Sequence, residues 1–115
     1  MTLHYDLPVY KDTFSLIQLI YAFTQDFPRD YKYTLGQDMK HDCMQLMRSI
    51  YRANRLKADR VRYLDEFLDN FELLKLEVRL AAELKLLPRS KQARLVALME
   101  SIGKQIMGWQ KASAK

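Results

Sequence analysis

The stretch DMKHDCMQLMRSIYRANR, residues 38–55, decides the fold. Met39, Cys43, Leu46, Ile50 and Ala53 recur at spacings of 4, 3, 4 and 3, the period that stacks side chains on one face of an α-helix. On another face the same period collects His41, Gln45, Arg48, Arg52 and Arg55. One helix therefore carries an apolar side for a core and a separate ridge of positive charge. It begins near Pro28 or Thr34, and we assign it to residues 29–55.

Working outward, Pro8, Pro28 and Pro88 each suit the first turn of a helix, where a missing N–H costs nothing. Residues 8–25 show a polar stripe at Lys11, Ser15, Gln18, Ala22 and Gln25 with apolar side chains around most of the remainder, which predicts a first helix that is almost wholly buried. A helix so apolar needs cover on more than one side, which implies self-association. Residues 58–87 form a long third helix with two apolar stripes, one through Leu64, Phe67, Phe71, Leu74, Val78 and Ala81, the other through Leu73, Leu76, Leu80, Leu84 and Leu87. Such a helix is expected to be sandwiched, with Asp65, Glu66, Asp69 and Glu72 as its solvated strip and i,i+4 pairs at Arg62–Glu66 and Arg79–Glu83. Residues 88–109 form the fourth helix, burying Leu95, Leu98, Ile102, Ile106 and Trp109, with residues 110–115 as a frayed tail. Ala93, Ala97, Ser101 and Gly103 make a ladder of small residues that predicts close approach of another helix. Four helices with short connections predict a single all-α domain over residues 1–115, an antiparallel up-down-up-down four-helix bundle.

Composition agrees. A 115-residue chain with 49% hydrophobic and 29% charged residues, three Gly and three Pro is that of a compact helical protein able to bury a core without disulfide or metal. The single cysteine, Cys43, fits a reducing compartment, and the cytoplasm is expected. Residues 1–10 lack the charged and apolar regions of a secretory signal, and no apolar run approaches the roughly 20 residues of a membrane span.

The charge is not spread evenly. Residues 48–62 hold Arg48, Arg52, Arg55, Lys57, Arg60 and Arg62 against Asp59 alone, a net +5 that equals the net charge of the whole chain. The remainder balances, so the excess is local, as in surfaces that hold a polyanion. From Lys85 onward a second basic region includes Arg89, Lys91 and Arg94, opposed only by Glu100. These nine side chains are the expected phosphate contacts. Tyr31, Tyr33, Tyr51 and Tyr63 interleave with basic residues and could stack on bases, although tyrosines at such places commonly fill helix ends and seams.

Catalytic chemistry finds little support. The chain has no phosphate-binding glycine loop, no G-x-S-x-G elbow and no H-E-x-x-H pair, and its two histidines, His4 and His41, offer few bases to a nucleophile. Asp38 and His41 have the i,i+3 spacing of a di-iron helix once, without a second copy, and are expected on the solvated face. Cys43 falls on the apolar stripe and has no second cysteine at metal-ligand spacing. No catalytic residue, metal or cofactor is expected.

Three segments, residues 27–37 (FPRDYKYTLGQ), 50–54 (IYRAN) and 102–109 (IGKQIMGW), resemble the accessory variability determinant proteins of diversity-generating retroelements, the similarity running over about residues 7–111. A sister group with the same fold, encoded in intervening sequences of large-subunit ribosomal RNA genes (the S23 type), shares the Phe-Pro junction. That group continues helix 2 into an Ile-Pro-x-Asn-Ile-Ala-Glu-Gly segment where this chain reads IYRANRL, residues 50–56. The resemblance implies a homopentamer of four-helix bundles arranged as a barrel. It further implies binding to the element's reverse transcriptase and to template RNA or cDNA, in support of mutagenic cDNA synthesis. The alternative is an oligomeric protein-interaction scaffold of the intervening-sequence type with no nucleic-acid role, its arginines paired with Asp65, Glu66 and Asp69 of neighbouring subunits.

Overall fold

Prolines set three of the helix starts. Pro8 is the first residue of α1 (Pro8–Thr24), and Pro28 and Pro88, each with ψ near 150°, stand immediately before α2 (Arg29–Lys32) and α5 (Arg89–Ser113). Between them run α3 (Leu35–Arg55) and α4 (Arg60–Glu83), joined by a 3-10 turn at Lys57–Asp59, and a second such turn, His4–Asp6, precedes α1. This computed structural model describes residues 3–114, which contain no strand. Met1 and Thr2, part of the segment read for a secretory signal, and Lys115, the end of the expected tail, lie outside the described residues.

The four long helices close on one another: α3 packs on α1 and α4, and α5 packs on α1 and α4, giving a bundle 45 × 22 × 21 Å. The α3 stripe read from the sequence is the heart of it, with Met39, Cys43, Leu46, Ile50 and Ala53 each 1% exposed or less. Facing them are Leu64, Phe67, Phe71 and Leu74 of α4, then Leu16 and Ile20 of α1 and Leu95, Ile102 and Ile106 of α5. Each such side chain contributes roughly 1.5–3 kcal/mol through removal from water. Polar ties fix the registers: Gln105 of α5 donates to Asp12 of α1 at 2.7 Å, and Gln110 donates to the Val61 carbonyl of α4 at 3.3 Å.

The structure departs from the sequence reading at several places, each with a local cause. The expected helix over residues 29–55 is broken at Tyr33–Thr34, where the Thr34 hydroxyl donates to the Asp30 carbonyl at 2.8 Å and Thr34 leaves helical geometry (φ −118°, ψ −93°). The break seats Gly36 under the α1–α2 corner, where an added Cβ would lie 3.4 Å from the Tyr31 carbonyl oxygen. The helix expected over residues 58–87 stops at Glu83: the N–H of Leu86 bonds the Ala81 carbonyl and that of Lys85 the Ala82 carbonyl, a Schellman closure that holds Lys85 at φ 63°. The last helix instead runs past residue 109 to Ser113, because Gln110 is anchored to α4. Nor is α1 almost wholly buried, since Phe14 and Tyr21 are exposed. The second leucine stripe of α4 is covered only at Leu87, while Leu73, Leu76, Leu80 and Leu84 face outward, so within one protomer α4 is not sandwiched. Gly103 does not mark an unusually close approach: a Cβ there would meet Phe71 Cε2 at 3.5 Å, an ordinary contact.

Two substitutions follow from these geometries. Lys85→Gly removes the left-handed strain of a side-chain-bearing residue and is expected to stabilise the fold by about 1 kcal/mol, read as a rise of several degrees in Tm. Gly103→Ala gains helix propensity without a clash and is expected to stabilise by up to about 1 kcal/mol in urea unfolding, whereas close helix contact there would make it destabilising.

Candidate nucleic-acid interface

The C-terminal half of α3 and the first turn of α4 bring the first basic group together, because only residues 56–59 link the two helices. Arg48, Arg52, Arg55 and Lys57 are exposed, and none is in an ion pair among the described residues. Arg62 is held loosely: its side chain is 59% exposed, 3.6 Å from Asp59 and 4.0 Å from Glu66, contacts of little energetic weight at an exposed site. Of the two expected i,i+4 pairs, Arg62–Glu66 forms at this limiting distance and Arg79–Glu83 does not.

Tyrosines rather than carboxylates order these cations. Arg52 and Arg62 approach the same Tyr63 ring, at 5.8 and 4.6 Å from its centroid. Arg55 lies 5.8 Å from the Tyr51 ring centroid and donates to its hydroxyl at 3.1 Å. A ring face attracts a guanidinium without neutralising it, so the positive potential persists at the surface. Two guanidinium groups about one ring leave their N–H groups available to an anion.

Arg60 is different. Its Nε donates to the Ala53 carbonyl at 2.7 Å and its Nη2 to the Asn54 carbonyl at 3.3 Å, while its guanidinium sits 5.4 Å from the Trp109 ring centroid. These are carbonyls in the last turn of α3, where a cation is favourably placed. Arg60 is half-buried and serves as a clasp across the α3–α4 turn, so it is set apart from the exposed ridge.

The second group does not join the first. Arg89, Lys91 and Arg94 occupy the start of α5, while the first group lies by Trp109 near its end, a separation of roughly 20 Å along the axis. Lys91 is paired with Asp26 at 3.0 Å and lies over Phe23, as does Arg94. The nine expected residues thus divide into one exposed cluster, one structural arginine and a distant, partly neutralised group. Tyr51 and Tyr63 belong to the cluster; Tyr31 and Tyr33 are exposed at the α2 corner, Lys32 lying over Tyr33.

Sequence reasoning missed the aromatic floor beside Arg55. His4 meets Tyr5, Tyr10 and Tyr51 edge-on at centroid distances of 5.4, 5.3 and 5.1 Å, which folds the N-terminal turn against α3. The gathering of His4, Tyr5 and Tyr10 within seven residues was the available signal, but only the tertiary contact with Tyr51 gives it meaning.

Other chemistry has little to work with. Among the described residues no group of three or more His, Cys, Asp or Glu is placed to hold a metal ion. Asp38 and His41 are exposed. Cys43 is buried, with its thiol pushed up to about 12, mainly by burial, so it is a core residue rather than a nucleophile. Burial first, then the neighbouring Asp42 and Asp38, pushes Glu77 up to about 8. No helix is long and apolar enough to cross a membrane among the described residues. A family model described as bAvd-like matches residues 9–113. No curated protein matches the chain.

Alanine substitutions should separate the clasp from the ridge. Arg60→Ala removes the two charge-assisted hydrogen bonds to the Ala53 and Asn54 carbonyls and is expected to cost about 1.5–3 kcal/mol of stability by chemical unfolding. Arg48→Ala, with nothing to lose inside the protomer, is expected to stay within about 0.5 kcal/mol.

Proposed function

We propose a function from the fact that this chain belongs to the bAvd-like family: it is a non-catalytic accessory protein of a diversity-generating retroelement. In this reading it assembles as a homo-oligomer, a pentameric barrel of bundles whose helices run alternately up and down. It works in the cytoplasm, holding template RNA or cDNA on its basic surface while another surface docks the reverse transcriptase. The observation that carries the nucleic-acid part is the exposed cluster Arg48, Arg52, Arg55, Lys57 and Arg62, ordered by Tyr51 and Tyr63 and almost free of carboxylates. Such a surface meets phosphates without regard to sequence, and the exposed Tyr51 ring adds stacking that any base can use. The outward Leu73, Leu76 and Leu80 of α4, with Leu84 just past its end, support self-association, since an apolar row of this kind is costly to leave in water.

A second reading draws on the acidic strip. Asp65 and Asp69 are exposed on α4, and the arginine cluster could instead meet such carboxylates on a neighbouring subunit, making the protein an interaction scaffold of the intervening-sequence type.

Joint replacement of Arg52 and Arg55 by Glu distinguishes the two. The accessory reading expects an oligomer of unchanged mass by light scattering and RNA affinity lowered by about tenfold or more in gel shifts, with the log–log salt slope reduced by roughly 1.5. An oligomer that falls apart supports the scaffold, and an affinity indifferent to salt removes the phosphate-contact reading.

A further inference from the structure

One flank of α4 is uncovered and holds a carboxyl that the protomer does not complete. Leu73, Leu76, Leu80 and Leu84 lie along it, Leu76 being 60% exposed. In the same row stands Glu77, only 7% exposed, with its Oε1 fully buried and without a hydrogen-bond partner. From α3, Asp42 and then Asp38 act on the Glu77 carboxyl, and the Cys43 thiol is close enough to feel it. A buried carboxyl oxygen without a donor is rare because the desolvation is uncompensated. These acids do not form a group able to hold a metal ion. A guanidinium, with five donors on a planar fork, can serve separated carboxyls at once.

The opposite flank supplies the complement. Between α4 and α5 runs a groove lined by the apolar Val78, Val96 and Met107 and edged by Lys75, Arg79 and Lys104, three cations against the one carboxylate of Glu100. Lys75 is engaged by Glu72 at 3.0 Å, whereas Arg79 is exposed and in no ion pair among the described residues. Two residues apart on a helix, Glu77 and Arg79 point about 160° apart, so the acidic notch and the basic edge cannot meet within one chain.

We infer that the leucine flank and its Asp38, Asp42 and Glu77 notch receive the α4–α5 flank of a second copy of this chain, with Arg79 of that copy entering among the carboxyls. The inference rests on the self-association proposed above and adds the two surfaces and the ion pair that joins them. Because the surfaces differ, the contact is head-to-tail and repeats from copy to copy until it closes into a ring. In the free protomer, burial and the adjacent Asp42 and Asp38 push Glu77 up to about 8, so it keeps its proton at neutral pH. An incoming guanidinium favours the carboxylate, and the contact forms with release of up to one proton. Association therefore tightens as pH rises toward 8, by at most about tenfold per unit, and levels off above it, where the free protomer has already lost that proton.

Sedimentation velocity of the full chain at about pH 6.5, 7.5 and 9 tests this. The wild type is expected to associate more tightly at each step up to pH 8 and little further beyond. Glu77→Gln, nearly isosteric and checked for helix content by circular dichroism, is expected to associate more weakly and to lose that slope. Leu80→Asp spoils the notch flank and Arg79→Glu the groove flank; each is expected to be monomeric alone, while their equimolar mixture gives a heterodimer and nothing larger. The inference is overturned where Glu77→Gln keeps both the affinity and the pH slope of the wild type, or where the mixture stays monomeric. If Leu80→Asp still breaks wild-type assembly in those cases, self-association stands without the notch. A wild type that is monomeric at every pH overturns self-association as well.

Discussion

A helix in a small bundle can turn an apolar stripe of about 100°, or somewhat more, toward its neighbours, and α4 carries leucine and phenylalanine over far more of its circumference than that. This excess is the constraint from which much else follows. Phe67, Phe71 and Leu74 take the interior against Leu46 and Ile50 of α3, leaving Leu73, Leu76, Leu80 and Leu84 with no place inside. A bundle 22 × 21 Å across its short axes has no second interior to offer. In the same row Glu77 is withdrawn from water yet left with an unpartnered oxygen, and Asp42 and Asp38 of α3 act on its carboxyl.

Placement of positive charge obeys a different economy of partners. Cations close to helix ends find carbonyl oxygens, and Arg60 finds two at the end of α3, with the Trp109 ring behind it. On the open ridge Arg52, Arg55 and Arg62 find tyrosine rings, which hold a guanidinium without cancelling its charge, and of the three only Arg62 adds loose contacts to carboxylates among the described residues. Arginines only a few residues apart in the chain thus divide between holding the α3–α4 turn and projecting an uncompensated field. At the far end of α5, Asp26 takes up Lys91, and the field there is weaker.

Buried acid and exposed base stand in contrasting states. Glu77, held protonated by burial and by Asp42 and Asp38, makes the protomer less stable as pH rises from the ordinary carboxylate range toward 8, since the folded chain there binds a proton that the unfolded chain has lost. Phosphate attraction at the arginine ridge and the state of the carboxyl notch therefore rest on different residues.

Much of the fold was legible in the chain because it rests on local periodicity. The 4, 3, 4, 3 spacing of Met39, Cys43, Leu46, Ile50 and Ala53 selects both the helix and its buried face, and the prolines mark where helices start. The tendency of Arg48, Arg52 and Arg55 to form one exposed ridge is likewise a property of one helix alone. What local spacing cannot express is which groups from different helices meet. Local hydrogen bonds that periodicity does not register break the second helix at Thr34 and close α4 at Lys85, whereas tertiary packing decided that Arg60 turns inward to carbonyls and that Arg89, Lys91 and Arg94 stand at the other end of the bundle. It also decided which of the two leucine stripes of α4 was buried, because a core of fixed width covers one side of a helix, and only the positions of its neighbours say which.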